Sequence, residues 1–174
     1  MLQLQGIIPA LITPYHEDES LDVVGLRALV SHLLPDVDGL LVNGTTADFP
    51  LLTHAERQEA IAAVVEVAAG RKPVLAGTGA VATREAIALT REAQAAGADA
   101  ALVIAPYYLR PSLVGLERHF SAIATALPDF PILLYNFPQL AGQPIPPDMV
   151  ARLAAIPNIV GMKDTSGDLA YMLE

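Results

Sequence analysis

The stretch that decides the fold is residues 159–168, which read IVGMKDTSGD. A short apolar run ends in Lys163, and a polar turn follows it at once. A lysine at the mouth of a buried strand is costly, because desolvation disfavours its charged form and leaves a nucleophilic amine. A strand-end lysine more often simply extends its amine into water. Polar side chains at the ends of neighbouring strands would favour the first interpretation.

Five further apolar runs precede this one, and helical patterns separate them. The runs span 7–12, 39–43, 73–77, 100–105 and 131–136. They are short, unbroken and rich in Ile, Val and Leu, which is typical of parallel strands buried on both faces. Helix starts are predicted at Asp22, Thr53, Thr83, Ser112, Pro146-Pro147 and Asp168, with a capping box at residues 53–56. The pattern predicts one domain over residues 1–174, made of six β-α units and ending within the sixth helix.

Two α/β architectures fit this order of elements, a doubly wound open sheet and a β/α barrel. A barrel has eight units and typically ~250 residues, so the length favours the open sheet. The strand ends favour the barrel, because barrel enzymes use the ends of many strands, whereas an open sheet binds ligands at one switch point. Polar groups follow nearly every predicted strand, at Thr13, Gly44-Thr45-Thr46, Gly77-Thr78, Tyr107-Tyr108, Tyr135-Asn136 and Lys163. The sequence therefore predicts the (β/α)8 TIM-barrel family, with about six units present.

Composition limits the function classes. The formal net charge is −9 and no basic stripe relieves it, so a nucleic-acid partner is not expected. No apolar run approaches the ~20 residues of a membrane span, so no membrane partner is expected either. The sequence has no cysteine and its four histidines lack ligand spacing, so neither a disulfide nor a metal site is predicted. A cytoplasmic protein is the simplest interpretation.

A glycine-rich segment, Gly77-Thr78-Gly79-Ala80-Val81-Ala82, imitates a dinucleotide-binding fingerprint. It follows the third predicted strand rather than the first, and the acidic residue about 20 positions on, Asp99, precedes a strand instead of ending one. The pattern is therefore interpreted as a tight turn, and no cofactor is predicted.

The turn after the second predicted strand, Gly44-Thr45-Thr46, is a candidate anion site. Successive backbone N–H groups beside a glycine make a concavity of the size of a small anion, and two hydroxyls add donors. A substrate carboxylate would fit there. An ordinary strand-to-helix turn with capping threonines accounts for the tripeptide equally well.

Tyr135 and Lys163 end successive predicted strands. Alternation along a strand places Pro131, Leu133 and Tyr135 on one side, and Ile159, Gly161 and Lys163 on one side. If both sides face the barrel axis, the phenol and the amine point into the same mouth. A phenol beside an amine can transfer protons during carbinolamine and imine steps. A packing role with a solvated hydroxyl is the alternative for a single tyrosine.

Together these residues resemble the dihydrodipicolinate synthase and N-acetylneuraminate lyase family of pyruvate-type class I aldolases. The resemblance covers the whole chain and rests on five motifs in order, Gly44-Thr45-Thr46, Gly77-Thr78-Gly79-Ala80, Pro106-Tyr107-Tyr108, Tyr135-Asn136-Phe137-Pro138 and Val160-Gly161-Met162-Lys163-Asp164-Thr165. It implies a β/α barrel that assembles as a homodimer or homotetramer. It also implies a carbon–carbon lyase that needs no cofactor, because a covalent imine through Lys163 supplies the electron sink.

The resemblance assigns a role to each candidate residue. Lys163 is the expected Schiff-base lysine for pyruvate or another 2-keto acid, and Tyr135 the expected general acid/base. Thr45 is expected to relay protons, and Gly44, Thr45 and Thr46 to bind the substrate carboxylate. Tyr108 matches a tyrosine that, in the synthase branch, enters the proton relay of a neighbouring subunit.

Two departures from the family pattern bear on the substrate. Ala47-Asp48 stands where Gly-Glu is usual. Leu140 stands where the synthase branch has an arginine for the second substrate's carboxylate, and leucine cannot replace a guanidinium fork. The sequence therefore predicts an aldolase for 2-keto-3-deoxy sugar acids, with 4-hydroxy-tetrahydrodipicolinate synthase as the alternative. Family members also have two more β-α units, so a truncated, non-catalytic barrel is a second alternative.

Overall fold

A computed structural model of the protein describes residue 2 and residues 4–174. Met1 and Gln3, at the start of the predicted domain, lie outside the described residues. The helices are α1 (Val23–Leu33), α2 (His54–Ala68), α3 (Thr83–Ala95), α4 (Leu113–Ala126), α5 (Pro138–Ala141), α6 (Pro147–Leu153) and α7 (Leu169–Leu173). The strands are β1 (Leu40–Val42), β2 (Val74–Gly77), β3 (Ala100–Ile104), β4 (Ile132–Asn136) and β5 (Ile159–Asp164). Strands and helices alternate, as the sequence predicts for an α/β fold.

The chain forms two compact units. One holds the chain up to Gly77 together with Glu92–Ala100, and the other holds Thr78–Arg91 and Ala101–Glu174. In the first unit β1 and β2 pair in parallel. In the second unit β3, β4 and β5 pair in parallel and in sequence order. No helix in the described part of the chain is both long and apolar enough to cross a membrane.

Five of the six predicted strands form. The strand predicted over residues 7–12 does not form, and that prediction is wrong. This segment makes only an isolated parallel bridge between Ala10 and Leu41. Leu41 donates its N–H to the carbonyl of Pro9 and accepts from the N–H of Leu11. In a parallel ladder the preceding rung would need an N–H from residue 9, which proline lacks. The segment is therefore extended and attached to β1, but the ladder stops after one bridge.

The predicted helix ends are confirmed by their caps. Thr53 and Glu56 form a reciprocal capping box at the start of α2, and Ala69 and Gly70 end that helix in the left-handed conformation. Asp22, Ser112 and Asp168 each accept backbone N–H groups at helix starts. Pro147 is the first residue of α6, where a missing N–H costs nothing. The short helix α5 and two 3₁₀ turns, Thr45–Ala47 and Phe49–Leu51, were not predicted.

Strands β1 and β3 are buried along their whole length, as predicted for strands covered on both faces. Strand β5 is different, because only its first residue, Ile159, is buried. Val160 is 51% exposed, and Gly161 is exposed beside it. The apolar run that ends in Lys163 is therefore a strand, but in this chain it is not buried on both faces.

The glycines of the dinucleotide-like segment are explained by packing within each unit. A Cβ on Gly77 would meet the carbonyl of Asn43, and a Cβ on Gly79 would meet the backbone N of Ile104 at 3.0 Å. Both glycines therefore let strands approach more closely than a side chain would allow. Thr78 donates its backbone N–H to Leu102, and its buried hydroxyl bonds that of Thr90 at 2.8 Å. These contacts agree with the interpretation of this segment as a tight structural turn.

His119 is a buried, neutral histidine on α4. It is 4% exposed, its Nδ1 lies 2.9 Å from the hydroxyl of Thr83, and its Nε2 has no hydrogen-bond partner among the residues that the structure describes. Burial lowers the pKa of His119 to about 4, compared with 6.5 for an ordinary histidine. In the unfolded chain His119 is therefore protonated below pH 6.5, whereas in the native chain it is protonated only below about pH 4.

Acidification should consequently destabilise the protein through His119. Because the folded pKa is the lower one, the free energy of unfolding falls between pH 6.5 and 4 and levels off below that, by about 3 kcal/mol in total. His119→Gln keeps a hydrogen-bonding side chain but cannot titrate. Urea unfolding of both proteins from pH 7.5 to 4 should show the difference growing in favour of the variant. A constant difference would show that the native histidine takes up its proton as freely as the unfolded one.

Candidate active site

Lys163 and Tyr135 lie side by side at the carboxyl ends of β5 and β4. The ladder aligns them directly, with Tyr135 opposite Lys163 and Asn136 opposite Asp164. The Nζ atom of Lys163 lies 4.4 Å from the centroid of the Tyr135 ring. An amine over an aromatic face at this distance is held by a cation–π interaction when it is charged. The predicted pairing of this phenol and this amine is confirmed.

The two side chains differ in burial. Tyr135 is 3% exposed, whereas Lys163 is half-buried. Within residues 2 and 4–174, no ion pair holds the Lys163 amine. The amine therefore rests on the ring face, and solvent still reaches it. A small carbonyl compound could approach the amine from the solvent side.

The pairing of β4 with β5 is irregular at its start. Ile159 lies opposite Ile132, but the next aligned pair is Leu133 with Gly161, so β5 carries one extra residue there. Gly161 and Lys163 lie opposite Leu133 and Tyr135, as the predicted alternation requires. Ile159 does not share that alignment, and this part of the prediction is wrong because a β-bulge shifts the side-chain period by one.

Asn136 and Asp164 form a hydrogen-bonded link immediately beyond the Tyr135–Lys163 pair. The side-chain amide of Asn136 donates to Asp164 Oδ1 at 2.6 Å, and its Oδ1 accepts the N–H of Ile145 at 2.9 Å. Asn136 is fully buried. The sequence prediction quoted both residues in motifs but gave neither a role. Asn136 directly follows Tyr135, and Asp164 directly follows Lys163. This shared position is the sequence signal that could have identified them.

Asp164 stays ionised although it is partly buried. Burial raises the pKa of Asp164, but hydrogen bonds from Ser166 and from Asn136 outweigh that effect and hold the pKa below its ordinary value. Ser166 contributes both its hydroxyl, at 2.7 Å, and its N–H, at 3.1 Å, to Asp164 Oδ2. Burial and then the Asp164 charge raise the pKa of Tyr171, whose hydroxyl donates to the Ile145 carbonyl at 2.6 Å.

The candidate carboxylate turn lies in the first unit. Gly44 is buried, Thr45 is half-buried and Thr46 is exposed. Residues 45–47 form a 3₁₀ turn in which the N–H groups of Ala47 and Asp48 donate to Gly44 and Thr45. The turn stands after the carboxyl end of β1, where the sequence predicts the carboxylate-binding residues.

Tyr108, on a loop, and Leu140, on a short helix, are exposed residues of the second unit. Tyr108 follows β3, is 92% exposed and has a left-handed backbone with φ 73°. A non-glycine residue in that region is strained, and strain of this kind accumulates at functional sites. Leu140 is in α5 and is 49% exposed, so this helix presents an apolar side chain to solvent at the position where the synthase branch is expected to have an arginine.

No cluster of three or more His, Cys, Asp or Glu side chains arranged to hold a metal ion occurs in the part of the chain that the structure describes. The groups gathered at the strand ends are an amine, a phenol, an amide and a carboxylate. An amine and a phenol in contact can carry out nucleophilic addition to a carbonyl coupled to proton transfer. The arrangement is therefore suited to covalent catalysis by lysine.

Comparisons with known proteins agree with this chemistry. A family model described as the dihydrodipicolinate synthetase family matches residues 3–174. The 4-hydroxy-tetrahydrodipicolinate synthase of Methanoculleus marisnigri is 49% identical over 171 residues, which make up 97% of this chain and 58% of that protein.

Solved structures match as well. The dihydrodipicolinate synthase of Acinetobacter baumannii complexed with pyruvate is 42% identical with a TM-score of 0.94, and the match covers 97% of this chain and 58% of that one. A catalytic lysine mutant of the Ruminococcus gnavus sialic acid aldolase is 26% identical with a TM-score of 0.90, over 95% of this chain and 54% of that one.

These matches confirm the predicted resemblance and the predicted fold class, the (β/α)8 TIM-barrel family, with part of the barrel present. The doubly wound sheet is thereby excluded. The chain spans less than two thirds of the length of the relatives it matches.

Proposed function

The chain belongs to the dihydrodipicolinate synthetase family, and we propose from this that the protein is a pyruvate-dependent class I aldolase that works through an imine on Lys163. The observation that carries the proposal is the position of the Lys163 amine, 4.4 Å from the centre of the Tyr135 ring. Both residues stand at the positions where the family resemblance expects the Schiff-base lysine and its acid/base partner. The imine acts as the electron sink, so no separate cofactor is needed.

The reaction uses the two side chains in sequence. The neutral Lys163 amine attacks the keto carbon of pyruvate, and the carbinolamine loses water to give the imine. Tyr135 donates the proton that the departing hydroxyl needs and accepts protons in the reverse steps. Loss of a methyl proton from the imine gives an enamine, whose carbon attacks an aldehyde. Hydrolysis then releases the product and regenerates Lys163.

Three further assignments rest on the family resemblance and on local geometry. We assign the substrate carboxylate to Gly44, Thr45 and Thr46, supported by their place in a turn directly beyond the carboxyl end of β1. By the family resemblance, Thr45 is assigned the role of proton relay. Tyr108 serves a neighbouring subunit, and its 92% exposure supports a role outside its own chain. The assignment of Tyr108 requires that the protein form a homodimer or homotetramer. We place the protein in the cytoplasm.

For the second substrate, the names of the relatives support 4-hydroxy-tetrahydrodipicolinate synthase rather than the sugar-acid aldolase predicted from the sequence. One observation favours the second candidate, an aldolase for 2-keto-3-deoxy sugar acids. Leu140 is exposed where an arginine would bind the carboxylate of the semialdehyde substrate, and leucine offers no such hydrogen bonds.

Borohydride reduction in the presence of pyruvate tests the imine. The sequence contains two lysines, Lys72 and Lys163, so peptide mapping distinguishes the adduct without ambiguity. We expect modification of Lys163 and none of Lys72. Absence of an adduct on folded protein would refute the aldolase. A panel of pyruvate with aspartate semialdehyde, pyruvate with glyceraldehyde, and N-acetylneuraminate alone then separates the two candidates, and the first pair is expected to dominate.

A further inference from the structure

The register that brings Lys163 beside Tyr135 is not secured by the start of the β4–β5 ladder. The bulge between Ile132 and Leu133 places an extra residue in β5 just before the catalytic end. The core holds β5 weakly, since Val160 is 51% exposed and Gly161 has no side chain. A strand with a bulge and little buried surface is prone to slip by one residue, and a slip would bring Met162 or Asp164 beside Tyr135.

The carboxyl ends of the two strands are secured instead by polar contacts centred on Asn136. Its side chain bridges Asp164 Oδ1 at 2.6 Å and the Ile145 N–H at 2.9 Å. Its backbone carbonyl accepts the N–H of Thr165 at 3.0 Å and the Thr165 hydroxyl at 3.3 Å. Asn136 is fully buried, so a polar group of its side chain that lost its partner would be left without a hydrogen bond, even to water.

The partners of Asn136 are themselves held in place. Both oxygens of Asp164 are occupied, one by Asn136 and the other by the N–H and hydroxyl of Ser166. Ile145 is fully buried and accepts the hydroxyl of Tyr171 at 2.6 Å. The bond between Asn136 and Asp164 is charge-assisted and short, which gives it directional strength. It therefore joins two strand ends that each have little freedom of their own.

We propose that Asn136 and Asp164 are a positioning pair, whose hydrogen bond fixes the register that holds the Lys163 amine over the Tyr135 ring. The proposal rests on the proposed function, because it concerns how readily Lys163 reaches pyruvate. Neither residue touches the substrate in this mechanism. Each acts one residue further along its strand, on the alignment of the residue before it.

A reciprocal exchange tests the pair. Asn136→Asp alone places two carboxylates at hydrogen-bond distance. In Asp164→Asn alone, the new side-chain NH₂ must face a donor, either the Asn136 amide or the Ser166 groups. The double variant restores complementarity, because the new amide at 164 donates to the new carboxylate at 136 while Ser166 and Ile145 keep their acceptors. Each single variant should slow borohydride-trapped imine formation by about 10²-fold, the loss that a misplacement of about 1 Å can cause. The double variant should recover to within about tenfold of the parent protein.

A second readout reports the position of Lys163 without any substrate. Labelling lysine at Cε with ¹³C gives signals from Lys72 and Lys163, and the former is an internal reference. The ε-protons of Lys163 should be shifted upfield by the Tyr135 ring in the parent and double variants, and less so in each single variant. Rates and shifts are compared on protein whose melting curve shows it to be folded.

The outcomes separate the two proposals. If the single variants melt at lower temperature but keep the parent's trapping rate and ring-current shift, the pair is merely structural and the positioning role is refuted. If the parent protein forms no adduct with pyruvate while the shift is lost in the single variants and restored in the double, the aldolase proposal fails and the positioning role stands.

Discussion

Lys163→Ala is expected to lower pyruvate-dependent turnover by about 10⁴-fold or more, the scale seen when a covalent nucleophile is removed. The imine cannot form without the amine, and Lys72, the other lysine of the sequence, offers no replacement at a strand end. The fold should tolerate the change, because Lys163 is half-buried and its amine rests on the Tyr135 ring. Steady-state kinetics and borohydride trapping measure the effect, and thermal melting verifies folding.

Lys72→Ala is the matched control, since it removes the same group from the same chain. It should leave turnover and adduct formation unchanged. Residual activity of Lys163→Ala within about tenfold of the parent protein would mean that the reaction does not pass through this imine.

Tyr135→Phe is expected to have the second largest effect, a loss of about 10²- to 10⁴-fold in kcat, as is typical of removing a general acid/base. The ring remains, so the apolar packing of a residue that is 3% exposed is largely kept, and the Lys163 amine still has an aromatic face to rest on. The variant should therefore bind pyruvate and form the imine slowly, with the deficit in the proton-transfer steps. The rate of imine formation is measured by single-turnover trapping with borohydride, and its comparison with kcat separates imine formation from the later proton transfers.

Tyr15→Phe serves as the control, because it removes the same hydroxyl from a tyrosine that is 41% exposed and has no role in the proposed site. It should match the parent protein in rate. If Tyr135→Phe also matches the parent in kcat, the Tyr135 hydroxyl takes no part in proton transfer and another group must do so.

The sequence predicts the Tyr135–Lys163 pair because its signals are local. Each residue ends a short apolar run, and parallel strands bring such ends together whatever lies between them. The capped helix starts at Thr53, Ser112 and Asp168 were predictable for the same reason, since a cap needs only its next three residues.

Features that depend on distant partners were not predictable. The strand expected at residues 7–12 fails where Pro9 faces β1, and a missing N–H matters only once the partner is known. The bulge in β5 shifts Ile159 out of the predicted alternation, because it depends on how β4 aligns with it. The bond between Asn136 and Asp164 joins residues 28 apart, and only the alignment of β4 with β5 brings them together.

Substrate preference was the other limit of the sequence. The absence of an arginine at Leu140 favoured a sugar-acid aldolase, whereas the relatives are named as 4-hydroxy-tetrahydrodipicolinate synthases. Under the proposed function, the residue at position 140 would bind one group of the second substrate, whereas the imine chemistry would depend on the strand ends.

The alignment of Tyr135 with Lys163 through the β4–β5 ladder also has an evolutionary consequence. Backbone hydrogen bonds between the strands hold the two residues side by side, and the 27 residues between them in the chain do not. Insertions, deletions and exchanges in the crossover between the strands can therefore accumulate while the reactive pair stays in place. Under the proposed function, remodelling of the crossover would change which aldehyde is accepted, while the pair that activates pyruvate is retained.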